Sequence, residues 1–248
     1  MDCGCHQPTN GHGDERHITL DELIAAAQAS GLPIEQAAQN IPATLRNATG
    51  APSAFDDVLR RPALVCDIDG ILAFAAEAIA TALNARYGAH YRAETMPYQI
   101  QDVIPDVQGV WLRAEYGRGD LYANMAPNLD AIRTVGAAHD AGWTVIITTA
   151  RDPALVDVTT AWLDRWHVKR DALNLVGRGN KPAWMASHFG PSRPALLLDD
   201  QPAYQLSIAR PGIEVWTPRL PYTPPHPRPH VRVFDDWPQI AAALGVTF

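Results

Sequence analysis

The sequence predicts an α/β protein with a Rossmann-like, mostly parallel sheet that carries helices on both faces. From Pro62 onward, short apolar runs of strand length alternate with helical segments. Strands that alternate with helices are typical of a parallel sheet covered on its two faces. Apolar residues make up 47% of the chain and charged residues 19%, which excludes disorder for most of it.

Five strands and five helices are predicted in this region. We expect the strands at Ala63–Cys66, Trp143–Ile147, Leu173–Val176, Ala195–Leu198 and Ile213–Trp216. We expect the helices near 74–86, 128–141, 153–166, 182–189 and 202–209. Seven of the 21 prolines lie between Pro211 and Pro229, which predicts an extended strap that leads to a short terminal helix after Trp237.

Two regions precede the sheet. Residues 1–17 are predicted to be a mobile tail, because they are polar and lack periodicity. This tail contains Cys3, Cys5, His6 and His12, whose residue types can bind zinc. A second closely spaced pair of ligands is missing, so no closed zinc site is predicted. Residues 18–50 are predicted to form a helical hairpin that begins with a capping box at Thr19. The hairpin has no Arg or Lys before Arg46, so we expect it to contact the main body, a partner protein or a second subunit rather than DNA.

The rest of the chain is predicted to be one catalytic core with an insertion. The stretch from Gly70 to Ile147 is longer than a single crossover helix needs. We therefore assign 56–72 and 126–248 to the core and 73–125 to a small, mainly helical cap, which excludes water and selects substrate.

Charge and cysteine content limit the possible partners. The formal net charge of −7 disfavours nucleic acid and an anionic membrane surface. Three cysteines do not make a disulfide framework and indicate a reducing compartment. The N-terminus lacks the apolar stretch of a secretory signal, and the most apolar later window, 71–83, is too short to span a bilayer. We expect a soluble, cytoplasmic protein.

Charged and hydroxyl residues follow four of the predicted strands. They are Asp67, Asp69, Thr149, Arg151, Lys181, Asp199 and Asp200. Carboxyl ends of parallel strands meet at one sheet edge, where ligands bind. Four carboxylates gathered there would repel one another unless a cation neutralised them, and oxygen ligands favour Mg²⁺. Lys181 supplies a positive charge for an anion, and the Thr hydroxyl and backbone amides, such as that of Ala150, supply hydrogen bonds.

These residues also resemble a known family. Ala63–Ala73 is similar to the first motif of the haloacid dehalogenase-like phosphatases. The other three motifs follow in the family's order as Thr149, Lys181 and the pair Asp199 and Asp200. The resemblance covers about 62–217 and departs from the family at Ile71, where Thr or Val is usual. The presence of Asp69 implies a phosphatase rather than a true dehalogenase.

The resemblance implies a role for each carboxylate. Asp67 would attack phosphorus and form an aspartyl-phosphate, and Asp69 would protonate the leaving oxygen and then activate water. Mg²⁺ would be held by Asp67, the backbone carbonyl of Asp69 and Asp199. Asp200 would reach Mg²⁺ through water or orient Lys181.

The second motif contains two adjacent threonines and an arginine. Alternation along a strand sends Thr148 and Thr149 to opposite faces, and the family's spacing of threonine two residues before arginine selects Thr149. Arg151 has two interpretations that stay open. It either binds substrate phosphate or pairs with Asp152 or Asp199.

The substrate is predicted from the cap and from two finer resemblances. The cap holds several tyrosines and arginines, of which one or two could stack on a base. The segment from Ile68 through Tyr98 resembles the 5′(3′)-deoxyribonucleotidase branch, whereas Thr149–Asp152 with Ala161–Leu163 resembles the 3′-phosphatase domain of polynucleotide kinase-phosphatases. We expect a small phosphorylated substrate, first of all a nucleotide. The alternatives are a sugar phosphate, a nucleic-acid 3′ end, or a regulatory protein that binds Mg²⁺ or nucleotide without turnover.

Overall fold

A computed structural model describes residues 24, 25, 28, 61–223 and 228–247. In these residues six parallel strands form one sheet in the order β3-β2-β1-β4-β5-β6. The strands are β1 Ala63–Cys66, β2 Thr144–Thr149, β3 Ala172–Leu175, β4 Ala195–Leu198, β5 Ile213–Pro218 and β6 Val231–Phe234. The predicted α/β class and Rossmann-like parallel sheet are confirmed.

The described part of the chain contains eight α-helices, of which four lie between β1 and β2 and none lies between β5 and β6. They are α1 Ala75–Tyr87, α2 Asp106–Arg118, α3 Asp120–Ala123, α4 Leu129–Asp140, α5 Val156–Arg165, α6 Lys181–His188, α7 Pro202–Ile208 and α8 Trp237–Leu244. Short 3₁₀ turns lie at Ala93–Thr95, Ile100–Asp102 and Pro153–Leu155. None of the described helices is long and apolar enough to cross a membrane.

The central strand β1 separates two apolar cores. All four of its residues are buried, as expected for a parallel strand covered on both faces. Leu64 and Cys66 belong to one core with side chains of α4 and α8, whereas Ala63 and Val65 belong to the other with side chains of α6 and α7. The helices thus cover both faces of the sheet.

The register of the central strands brings their carboxyl ends to one level. Cys66 pairs with Ile147 of β2 on one side and with Leu198 of β4 on the other. The residues that follow β1 and β4, Asp67 and Asp199, therefore leave neighbouring strands side by side. The strand order changes direction at β1, where open α/β sheets have their ligand crevice.

The segment 73–125, which we call the cap segment, holds α1, α2 and α3 with two 3₁₀ turns between α1 and α2. Its buried side chains, such as Leu83 and Leu112, belong to the same apolar core as Leu64 of the sheet. Tyr87 and Trp111 meet edge to face with centroids 5.7 Å apart, so these two aromatic residues pack within the cap segment.

The chain after β5 contains a strand that the sequence analysis did not predict. β6 pairs with β5 from Val215 and Val231 to Pro218 and Phe234, so the proline-rich strap leads into a sixth strand before α8. The terminal helix itself begins at Trp237 as predicted, and the Asp236 side chain caps it by accepting a hydrogen bond from the backbone N–H of Gln239.

The predictions for the tail 1–17 and for most of the hairpin 18–50 lie outside the described residues. Three residues of the hairpin, Ile24, Ala25 and Gln28, are described and are helical. Ile24 is buried in the core formed with α6 and α7, and Nε2 of Gln28 donates a hydrogen bond of 3.2 Å to Oδ1 of Asn174. These contacts place this part of the chain against the main body.

Candidate active site

Lys181 joins two of the carboxylates at the sheet edge. Its Nζ lies 2.6 Å from Oδ2 of Asp199 and 3.1 Å from Oδ1 of Asp67. Burial lowers the pKa of Lys181, but the carboxylates of Asp199 and Asp67 outweigh burial and raise it above its usual value. Lys181 is therefore a fixed cation between the two strand ends.

The carboxylate of Asp67 has one oxygen free of hydrogen bonds. Asp67 is 7% exposed, and its Oδ1, although at ion-pair distance from Lys181, accepts no hydrogen bond from any described residue. Burial raises the pKa of Asp67 to about 7, with Asp199 and Asp69 adding to the rise and Lys181 opposing it. Burial and the neighbouring acids thus disfavour the charged form of Asp67.

Asp200 completes the group of acids. The hydroxyl of Tyr222 donates a hydrogen bond of 2.7 Å to its Oδ2. Burial and the neighbouring carboxylates of Asp199 and Asp67 raise the pKa of Asp200 well above its usual value. Gly70 leaves the room for this side chain, because a Cβ there would lie 2.2 Å from Oδ2 of Asp200. Gly70 also has a φ of +83°, which favours glycine.

A divalent cation fits this group of acids. One carboxylate oxygen from each of Asp67, Asp199 and Asp200 lies within 4.8 Å of the other two, and all three residues are buried. One oxygen of Asp67 has no hydrogen bond, and the pKa values of Asp67 and Asp200 are raised. Both features are expected where a bound cation compensates the carboxylate charge. Asp69 is predicted to bind the metal through its backbone carbonyl, and its carboxylate is not part of this cluster.

Asp69 pairs with Arg151 instead. Nε of Arg151 donates to Oδ2 of Asp69 at 3.0 Å, and Nη2 donates to Oδ1 at 2.7 Å. Arg151 is 3% exposed and also contacts the Oγ1 of Thr159 and the ring of Tyr122, whose centroid is 4.0 Å from its Cζ. Both partners considered for Arg151 from the sequence are therefore wrong. Asp152 caps the next turn, and Asp199 binds Lys181.

The second predicted motif lies beside these acids. Thr149 ends β2, is buried and lines the same cavity as Asp67, together with the following Ala150. The backbone N–H of Arg151 donates to Oγ1 of Thr149 at 3.4 Å. Thr148 is also buried, but it does not line the cavity, so the choice of Thr149 agrees with the alternation of the strand.

A cavity of about 370 Å³ opens beside the acids, between the core and the cap segment. The core contributes Asp67, Asp69, Thr149, Ala150, Arg151, Arg178, Asp200, Gln201 and Tyr222. The cap segment contributes Met96, Tyr98, Arg113, Tyr116 and Tyr122, among others. A volume of this size suits a small organic phosphate.

Two cavity residues, Tyr222 and Arg178, were missed in the sequence. Tyr222 lies in the proline-rich strap, and its ring meets that of Tyr98 edge to face at 5.4 Å, so the strap contacts the cap segment. Nothing local in the sequence marks this contact. Arg178 could have been predicted as a cavity residue, because it follows β3 at the carboxyl edge of the sheet, three residues before Lys181.

Solved structures share the fold of this chain. No family model and no curated protein matches the chain. Among solved structures, a predicted phosphoglycolate phosphatase from Haemophilus somnus 129pt is similar over 74% of this chain and 97% of its own, with 14% identity and a TM-score of 0.50. A dehalogenase with an intermediate complex is similar over 75% of this chain and 98% of its own, with 12% identity and a TM-score of 0.54. The chain therefore has the same α/β fold as these two structures.

Proposed function

We propose that this protein is a Mg²⁺-dependent phosphomonoester hydrolase that forms an aspartyl-phosphate on Asp67 and acts on a (deoxy)nucleotide or a similar small phosphate ester. The observation that carries the proposal is the contact of Lys181 with Asp67 and Asp199, beside Asp200, next to a cavity of small-molecule size. The fold, which resembles that of the haloacid dehalogenase superfamily, is compatible with this chemistry.

The assignment of Asp67 as nucleophile rests on its position. It follows the central strand β1, lines the cavity and keeps a carboxylate oxygen without a hydrogen bond. The attack of a carboxylate oxygen of Asp67 on phosphorus forms an acyl-phosphate bond and releases the alcohol, and water then hydrolyses that bond to regenerate the carboxylate and free phosphate. Lys181 holds the carboxylate in place and offsets negative charge on the phosphoryl oxygens.

Mg²⁺ would be held by Asp67, Asp199 and Asp200, with the backbone carbonyl of Asp69 as a further ligand that the family resemblance implies. When bound, Mg²⁺ neutralises the excess carboxylate charge and polarises the phosphoryl group. The hydroxyl of Thr149 and the backbone N–H groups after β2 would bind phosphoryl oxygens, because they line the cavity beside Asp67.

Asp69 would donate the proton to the leaving oxygen and later accept one from water. Its carboxylate lines the cavity two residues after Asp67, on the turn made possible by Gly70. Arg151 fixes this carboxylate through two hydrogen bonds. We assign Arg151 as a positioning residue, because its Nε and Nη2 donate to Asp69 and are not free to bind the substrate.

The tyrosines of the cap segment support a nucleotide as the substrate. Tyr98, Tyr116 and Tyr122 all line the cavity, where their rings can stack on a base of any identity. A sugar phosphate and a nucleic-acid 3′ end are the competing substrates, and the net charge of −7 favours the small molecules.

The proposed activity is tested by phosphate release from an aryl phosphate with and without Mg²⁺. Activity should require the metal, and Asp67→Asn should abolish it, with Arg133→Gln on the surface of α4 as the control for purification. A panel of nucleoside monophosphates, sugar phosphates and 3′-phosphorylated oligonucleotides then ranks the substrates. Full activity of a clean Asp67→Asn protein would overturn the assigned nucleophile.

A binding protein without turnover is the second candidate. It would bind Mg²⁺ or a nucleotide in calorimetry but release no phosphate from any member of the panel. The presence of Asp69 in the cavity favours the enzyme, since simple metal binding gives no role to a carboxylate outside the metal cluster.

A further inference from the structure

Two arginines line the cavity without an ion pair in the described part of the chain. Arg113 belongs to α2 in the cap segment, and Arg178 belongs to the loop between β3 and α6. Both side chains are exposed, and neither forms a hydrogen bond or salt bridge with another described residue. Two parts of the chain that are distant in sequence thus each bring an uncompensated positive charge to one cavity.

The other cations at this site are already neutralised. Lys181 is bound by Asp67 and Asp199, and Arg151 is bound by both oxygens of Asp69. Lys181 is fully buried and does not line the cavity, and the donors of Arg151 are taken by Asp69 and Thr159. Among the described residues, Arg113 and Arg178 are therefore the cavity cations with donors free for a ligand.

The cap segment contains arginines that serve for comparison. Arg118, on the same helix as Arg113, forms ion pairs with Glu115 and Asp120, and Arg92 forms one with Glu94. Neither Arg118 nor Arg92 lines the cavity. The arginine of α2 that faces the cavity is the one that lacks a carboxylate partner among the described residues, which is the arrangement expected if a ligand supplies the partner.

We propose that the substrate carries a second anionic group, a carboxylate or a second phosphate, which Arg113 and Arg178 bind while the scissile phosphate lies at Asp67. The inference rests on the proposed phosphatase function and adds the charge class of its substrate. Guanidinium groups suit such a ligand, because their paired N–H donors match carboxylate and phosphate oxygens. Binding of one anion by the cap segment and by the core would also hold the two together over the substrate.

The test compares two esters, 2-phosphoglycolate and ethyl phosphate, which carry a carboxylate and a methyl group, respectively, at the same position. The wild-type protein should prefer 2-phosphoglycolate in kcat/KM. Arg113→Gln and Arg178→Gln should each lower that preference about tenfold or more, as expected for loss of a charged hydrogen bond. Arg118→Gln is the control and should keep the wild-type ratio. Equal ratios in all four proteins would overturn the inference.

A second pair of ligands tests whether the arginines bind a phosphate or a carboxylate. Deoxyadenosine 3′,5′-bisphosphate is compared with deoxyadenosine 5′-monophosphate in the same four proteins. A loss of preference confined to one pair identifies the anion that the arginines bind.

Binding measurements keep the inference testable if no ester is hydrolysed. Calorimetry on the Asp67→Asn protein with Mg²⁺ present should give tighter binding of 2-phosphoglycolate or the bisphosphate than of its matched partner, and Arg113→Gln added to that protein should remove the difference. Absence of turnover alone overturns the phosphatase proposal, whereas equal binding of both members of each pair overturns the second-anion proposal.

Discussion

Arg151 holds Asp69 by both carboxylate oxygens, at 3.0 Å from Nε and 2.7 Å from Nη2, although 82 positions separate the two residues in the sequence. Arg151 is itself fixed by the ring of Tyr122 and the hydroxyl of Thr159. A bidentate pair of this kind defines the direction of the carboxylate, and not only its charge. The pair therefore orients Asp69 within the cavity.

Replacement of Arg151 should lower kcat most for esters with poor leaving groups. In Arg151→Met, Asp69 loses its orientation, so kcat for an alkyl phosphate should fall about 100-fold, within the usual contribution of a general acid. The loss for p-nitrophenyl phosphate should be smaller, because nitrophenolate leaves without a proton. Steady-state kinetics on both esters measure the difference, and Arg133→Met is the surface control. Equal losses on the two esters would show that Arg151 does not act through Asp69.

Alanine at Gly70 should disturb the metal site, whereas alanine at Gly88 should not. Both glycines have positive φ, +83° and +62°, so either substitution strains the backbone at a cost of about 1 kcal/mol or more. Only at Gly70 would the new Cβ collide with Asp200, since Gly88 has nothing within 4 Å of its Cβ position in the described structure. Calorimetric titration should therefore show weaker Mg²⁺ binding in Gly70→Ala and unchanged binding in Gly88→Ala. The same loss in both variants would point to general destabilisation.

The stability of the protein should depend on pH through His139. Its interaction with buried Asp171, which also accepts a hydrogen bond from the N–H of Val145, raises the pKa of His139 above 6.5 against the effect of burial. The folded state binds this proton more tightly than the unfolded chain. Its contribution is thus fully present below pH ~6.5 and is lost as the pH rises through the folded value.

Urea unfolding at a series of pH values measures this dependence. Between pH ~6.5 and the folded pKa of His139, the free energy of unfolding should fall with rising pH more steeply in the wild-type protein than in His139→Gln. His90→Gln, at an exposed histidine, is the control and should follow the wild type. If the free energy of unfolding has the same pH dependence in the wild type and in His139→Gln, His139 is not the group responsible.

The central sheet and its acids could be predicted because the signal is local. β1 and β4 are continuous apolar runs that end at Asp67 and Asp199, and parallel strands bring such ends to one edge. The strand β6 was missed for the opposite reason. It is short, follows a proline-rich stretch and carries the exposed Arg232, so it has no apolar run to mark it.

Contacts between distant segments could not be predicted from patterns. The choice of Asp69 as the partner of Arg151 depends on the packing of α3 against α5, because Tyr122 of α3 and Thr159 of α5 both contact Arg151. Acids nearer in the sequence, such as Asp152, were equally good candidates. The hydrogen bond from Tyr222 to Asp200 similarly depends on the path of the strap across the sheet edge. Residue types predicted the chemistry of the site, whereas tertiary packing decides which side chains pair.

A covalent phosphoryl intermediate on Asp67 can be detected by trapping it. The protein is mixed with a phosphate ester and Mg²⁺, quenched in acid within one turnover and digested, and its peptides are analysed by mass spectrometry. We predict a phosphoryl group on the peptide that contains Asp67, absent from Asp67→Asn and from a sample quenched only after all of the ester is consumed. Turnover of the ester with no phosphoryl group at Asp67, or with one on another residue, would show that Asp67 is not the nucleophile.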